Sequence, residues 1–292
     1  MSSAAHMTSF AADSLSNSGA PSFGALLKSW RGTRKRSQLD LALDAGVSQR
    51  HLSFLESGRA QPSRDMILQL AEVLDIPLRE RNMLLHAAGF ASLYQERGLD
   101  SAEMAAIKQA LEMMLRHHDP YPAVVVDRHW NLVLRNAAAD RFIGLLGDQE
   151  TIWGKVDPSG QYNILRMTFH PSGMQPLLRN WEPTATLLLS RLQREVTADP
   201  ANGRLRDLFN ELSALPCVPP NWRNQVWNSV PPPFLPLEVG MGDLTLKLFS
   251  MISTFGTALD VTAEELRVEA FFPADDFSAH FFKSLAQASP AS

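Results

Sequence analysis

Apolar residues recur at three-and-four spacing through Phe23, Leu26, Leu27 and Trp30, the mark of a helix over residues 23–35 that buries one stripe. Four more short helices follow in the same pattern. Ser37 caps a helix over Gln38 to Ala45 that closes at Gly46, and Ser48 caps a third that runs to about Ser57 and closes at Gly58. Ser63 caps a fourth, with Ile67, Leu70, Ala71 and Leu74 on one face and Pro77 marking its end; a fifth spans Glu80 to Ala88 and stops at Gly89. Serine at each start accepts a bond from a free amide, and glycine at each end takes the positive φ that closes the last turn. Ahead of these helices, residues 1–22 are Ser-, Ala- and Gly-rich without any period, which predicts a disordered arm.

The pattern changes after Ala91. Met104, Ile107, Leu111, Met114 and Leu115 share one face of a helix over Ser101 to His118, read as a connecting segment within 93–119 whose stripe packs on a second domain or on a partner chain. Ala123 to Val126 and Trp130 to Arg135 read as strands joined at 127–129, with alternation loose enough to imply cover on both faces, and a helix begins near Asn136. Helical patterns return at Thr184 to Val196 and Leu205 to Leu215, before the proline-rich PCVPPNWRNQVWNSVPPP. FLPLEVGMGDLTLKLFSMISTFG then predicts two strands joined across Gly240 and Gly242, with a third at Leu266 to Phe272. Residues 120–288 are therefore expected to form an α+β domain with a central antiparallel sheet, behind an all-α domain over 23–92.

Charge divides along the same line. Residues 23–92 hold 10 Lys and Arg against 7 Asp and Glu, whereas 93–292 hold 17 against 23, within a chain whose net charge is -4. KSWRGTRKR places Lys28, Arg31, Arg34, Lys35 and Arg36 together with no acid among them. That is either a phosphate-binding footprint or a solvated helix face.

The second and third helices decide between a plain bundle and a DNA reader. In a helix-turn-helix the fifth position must be small and the ninth must tolerate an unusual backbone. With Gln38 as the first position, Ala42 is the fifth and Gly46 the ninth, while Leu52 and Leu55 fall at the buried fifteenth and eighteenth. The stretch from Phe23 to about Gly89 resembles the Cro/C1-type (XRE-family) helix-turn-helix domain, including Glu56-Ser57-Gly58 after the third helix and Pro62-Ser63 before the fourth. The resemblance implies that the third helix lies in the major groove of double-stranded DNA. Ser48, Gln49, Arg50 and Ser53 then become base-edge candidates, Gln49 suited to adenine and Arg50 to guanine or to a phosphate. Gln38, at a helix N-terminus, and Arg59 are read as phosphate clamps, Glu56 as a structural residue at the turn, and His51 and Phe54 as either packing or thymine-methyl contacts. A helical bundle used for protein contacts is the alternative for the whole segment.

The second domain's element order looks like a PAS-like sensor. The run DRHWN with its following helix, then NILRMTFHP, NWEPTATLLLSRLQRE and FSMISTFGTALDVTAEELRVEAFFPAD, resembles the ligand-binding domain of MmyB-like transcription regulators. Both resemblances together cover about residues 23–275. They imply a regulator whose second domain holds a small apolar molecule such as a fatty acid. Such a pocket needs apolar walls, which Trp130, Phe142, Met167, Phe169, Trp181, Phe249, Met251 and Phe271 can supply as well as they can supply plain core. It also needs a polar anchor, for which Arg166, His170 and Asn180 are the candidates.

Catalytic constellations are absent from the sequence. Cys217 lies between prolines with no partner motif, and the one cysteine fits a reducing, cytoplasmic setting. His117 and His118 are helix neighbours pointing about 100° apart, a poor chelate, so no metal is expected. Gly240-Met241-Gly242 lacks the third glycine and following helix of a dinucleotide loop, and no cofactor is expected. No apolar run reaches the length of a membrane span. Two other readings stay open: a constitutive regulator whose second domain only dimerises, and an antitoxin-like protein that masks a partner. A single recognition helix offers few base contacts, so a homodimer on a palindromic operator is expected.

Overall fold

A computed structural model describes residues 21–223, 235–256 and 258–288. The expected arm, apart from Pro21 and Ser22, lies outside these residues, as does most of the proline-rich stretch beyond Arg223. The described chain divides into two compact units near Leu93.

The first unit is helical: α1 Phe23–Thr33, α2 Gln38–Asp44, α3 Gln49–Glu56, α4 Arg64–Val73 and α5 Leu78–Ala87. The hydroxyls of Ser22, Ser37, Ser48 and Ser63 each accept from an amide of the first turn, and Ser37 closes a reciprocal capping box with Asp40. Phe23, Leu27, Trp30, Leu41, Leu52, Leu55, Ile67, Leu70, Leu74, Leu84 and Leu85 form one buried core. Gly24 lets α1 cross α3 closely: a β-carbon there would sit 2.5 Å from the Glu56 carbonyl oxygen and 2.6 Å from that of Leu55. Gly46 takes φ +61° between α2 and α3, where a side chain would be strained.

The second unit is α+β. Its antiparallel sheet runs in the order β2-β1-β5-β4-β3, from β1 Ala123–Val126, β2 Leu132–Arg135, β3 Leu235–Met241, β4 Leu244–Thr254 and β5 Arg267–Pro273. Strand β1, between β2 and β5, is buried at every position, because its side chains alternate between two covered faces. On one face, α6 Ala105–His118 packs Leu111 and Leu115 against Ala123, Val125, Leu266 and Val268. Of the two expected seats for the connecting helix, the second domain is the one its stripe takes, although Met114, placed on that stripe, is exposed. The other face carries α7 Ala137–Gly144, α9 Ile164–Phe169 and α10 Trp181–Ala198, with α11 Gly203–Ser213 packed on α10. Helices α8 Gln149–Val156, α12 Val261–Glu265 and α13 Asp276–Ala288 were not expected; α8 and α12 are too short to stand out as periodic runs, whereas Phe281, Phe282 and Leu285 of α13 do share a face.

Strand β2 starts two residues later than expected. The Asp127 carboxylate accepts from the amides of His129 at 2.8 Å and Asn131 at 2.9 Å, which winds the chain into a turn and puts Trp130 at φ +67°. Trp130 becomes a fully buried turn residue and not the first residue of a strand.

Candidate functional site

In the first unit, α3 buries Leu52 and Leu55 and turns Gln49 and Arg50 outward, with Ser53 half-buried beside them. The Ser48 hydroxyl accepts from the His51 amide at 3.1 Å, so one of its two lone pairs is taken by the cap while its O–H stays able to donate. Arg50 and Arg59 are both exposed and both lie over the Phe54 ring, at 5.4 and 5.9 Å. Phe54 thereby sets two guanidinium groups on the same side of the recognition helix.

Gln38 stands at the N-terminus of α2, as expected. Its side-chain amide donates to Glu56 at 2.7 Å, while Arg31 makes a two-pronged pair with the same carboxylate at 2.6 and 3.0 Å. Burial alone would raise the Glu56 carboxyl, but the bonds from Arg31 and Gln38 outweigh it and hold it below the usual range. The Gln38 side chain is therefore a strut between α2 and α3. The basic run is also largely spent internally. Besides Arg31, Arg34 donates to the Leu74 carbonyl at 2.8 Å and Arg36 pairs with Asp44 at 2.6 Å. Lys28 and Lys35 remain exposed.

The second unit holds a cavity of about 130 Å³ between the sheet and its covering helices. Its walls are Val124, Leu237, Val239, Leu248 and Phe271 from the sheet, Ala139, Phe142 and Ile143 from α7, Leu165 and Met167 from α9, and Leu188 from α10. Phe142, Met167 and Phe271 were expected there. The other anticipated residues are not. Trp130 lies against the guanidinium groups of Arg191 and Arg267, at 4.1 and 5.0 Å from the ring centre, and donates from Nε1 to Glu195. Phe169 and Trp181 pack edge to face at 5.1 Å, with Trp181 Nε1 donating to the Cys217 carbonyl. Phe249 stacks on Phe272, and Met251 is exposed near the end of β4.

Each expected polar anchor is consumed structurally. Arg166 bridges Glu211 and Asp157, His170 Nδ1 accepts from the Ser172 amide, and Asn180 pins the start of α10 to β3 through Pro236 and Glu238. The charged and hydroxyl-bearing side chains that do line the cavity are Arg191, Glu269 and Thr168, whose hydroxyl donates to the Ile164 carbonyl at 2.8 Å. The Arg191 side chain is 22% exposed, yet its Nη2 is shut off from solvent with no hydrogen-bond partner. Burial pushes the Arg191 pKa down, against the pull of Glu269 and Glu195. Neither Arg191 nor Glu269 stood out in the sequence; the one available signal was an arginine interrupting the apolar run LLLSRLQ.

A wider depression of about 440 Å³ around Leu145, Pro171 and Met241 is lined by no charged side chain. Burial pushes the Cys217 thiol up, away from the reactive thiolate. Among the described residues no group of three or more His, Cys, Asp or Glu is placed to hold a metal, and no helix is long and apolar enough to cross a membrane.

An outward-facing helix on a five-helix unit, joined to an α+β unit with an internal apolar cavity, defines a DNA-binding transcription regulator with a ligand-binding domain. The comparisons agree: a helix-turn-helix family model matches residues 27–81, and the model of the MmyB-like transcription regulator ligand binding domain matches residues 107–285. The chain belongs to that MmyB-like family. No curated protein matches it significantly.

Proposed function

We propose that this regulator reads a palindromic operator as a homodimer and changes its DNA affinity when a small, fatty-acid-like molecule occupies the cavity of its second unit. The observation that carries the reading is the apolar cavity with an unpartnered guanidinium nitrogen at its wall, since a buried donor without an acceptor is costly and a ligand can supply one. Its size narrows the class: a cavity of roughly 150 Å³ holds benzene, so 130 Å³ suits a ring or a short chain as it stands. The reading assigns no catalytic step and no cofactor, and it places the protein in the cytoplasm with its DNA.

Native mass spectrometry of the purified chain, followed by solvent extraction, tests this directly. A molecule held one per protomer in the wild type and lost in Ala139→Phe, which fills the cavity, is the expected result, with operator affinity differing between loaded and emptied protein. A chain that carries nothing, accepts no short-chain or aromatic compound and binds DNA identically in both variants would return the second unit to a dimerising role.

A further inference from the structure

Among the described residues four buried side-chain polar atoms have no hydrogen-bond partner, and two of them, Arg191 Nη2 and Trp153 Nε1, belong to side chains that line the 130 Å³ cavity. The other two, on Ser101 and Asp199, belong to residues outside its walls. Buried donors are nearly always satisfied, so two unpartnered ones on a single cavity mark it as a place that receives acceptors. Arg191 is engaged on its other nitrogens: Nη1 lies 3.9 Å from Glu269 and Nε 4.0 Å from Glu195, which leaves Nη2 to a guest. Trp153 is 3% exposed, and its indole meets the Tyr162 ring edge to face at 5.2 Å. A ring is at best a weak acceptor, so the indole N–H keeps its capacity for an oxygen.

The two donors come from different walls. Trp153 belongs to α8 and packs in one cluster with Leu132 of edge strand β2, whereas Arg191 on α10 faces Glu269 of β5. With β1 between those strands, the seats of the two side chains are two strand spacings apart, roughly 10 Å. Serving both takes two acceptors set apart along one apolar body. Around Trp153 the cavity is walled by Ile143, Met167 and Met174. A carbonyl oxygen suits that end better than a hydroxyl, because it brings no further donor into apolar surroundings.

Deepening the ligand-sensing reading above, on which it rests, we propose that the cavity takes an oxygenated acyl compound, with its carboxylate received by Arg191 and a keto or ester oxygen further along the chain received by Trp153. Trp153 is the specificity determinant, separating an oxo acid from the plain acid of the same length. The plain acid buries the indole N–H unpaired, which costs it affinity.

Matched acids test the assignment on the full chain: hexanoate against 4-oxohexanoate and 5-oxohexanoate, titrated near pH 7.5 by ligand-observed NMR. At least one oxo acid is expected to bind about five-fold tighter than hexanoate or better. Trp153→Phe, which keeps an aromatic wall and removes the N–H, is expected to erase that preference while still binding hexanoate. Equal affinity of the wild type for all three acids would overturn the proposal, as would a preference that survives Trp153→Phe or a failure of all three to bind. The wild-type comparison decides without the variant, should Trp153→Phe fold poorly. Failure here leaves the broader reading intact whenever extraction still recovers a molecule that Ala139→Phe lacks.

Discussion

Phe54 does more at residue scale than its place in the helix suggests. By lying against both Arg50 and Arg59 it limits the rotamers of two long side chains, so less freedom would be lost if they met DNA. Arg50 is the better placed for a base, being in the first turn of α3. Arg50→Ala is expected to weaken operator binding by about 1–3 kcal/mol per half-site and to relax the preferred sequence at one position. Competition binding against a library of operator variants measures both effects, and an unchanged preference would move base reading to Gln49 and Ser53. The exposure of Gln49 and Arg50 was legible because a capped helix leaves its outward positions to local spacing. Arg191 and Glu269 were not: they are neighbours only because β5 and α10 meet across the sheet, and nothing within either segment announces the pairing. The same holds for Trp130, which has the composition of a pocket wall but is held by a turn under two arginines.

The clearest dependence at the level of elements is the crossing of α1 on α3. Gly24 lies against backbone carbonyls that cannot move independently of α3, whereas a β-carbon at Gly32 in the same helix would meet nothing within 4 Å. Gly24→Ala is expected to destabilise the first unit by about 1–3 kcal/mol through overpacking. Gly32→Ala is expected to be neutral or to gain up to about 1 kcal/mol from helix propensity. Amide hydrogen exchange in the first unit reads both; equal effects would mean that the crossing is not limiting. Helix starts in this unit were readable from serine positions, because a cap is a local bond between neighbours. The short helices α8, α9 and α12 were not, since each is held by what it packs on.

For the whole molecule, the proposed dimer has an arithmetic consequence. A chain with net charge -4 binds a polyanion only through local cations, so each phosphate contact counts visibly in the salt dependence of affinity. If Arg59 clamps a phosphate, Arg59→Ala lowers the slope of log affinity against log salt by about 1 for a monomer and by about 2 for a dimer engaging both half-sites. Filter or fluorescence titrations across a salt series distinguish the two cases, and an unchanged slope would remove Arg59 from the interface. Half-sites about 34 Å apart are the matching expectation for the operator.

The seat of Trp130 gives the second unit an optical property. An excited indole carries a larger dipole than in its ground state, so its emission colour follows the local electric field, and this ring has two guanidinium groups within 5.0 Å of its centre. One of those cations, Arg191, also forms part of the cavity wall. Any guest that draws Arg191 toward itself alters the field on the ring, and the difference in emission between the wild type and Trp130→Phe isolates that one chromophore. Occupancy can then be followed by light alone, without label or DNA.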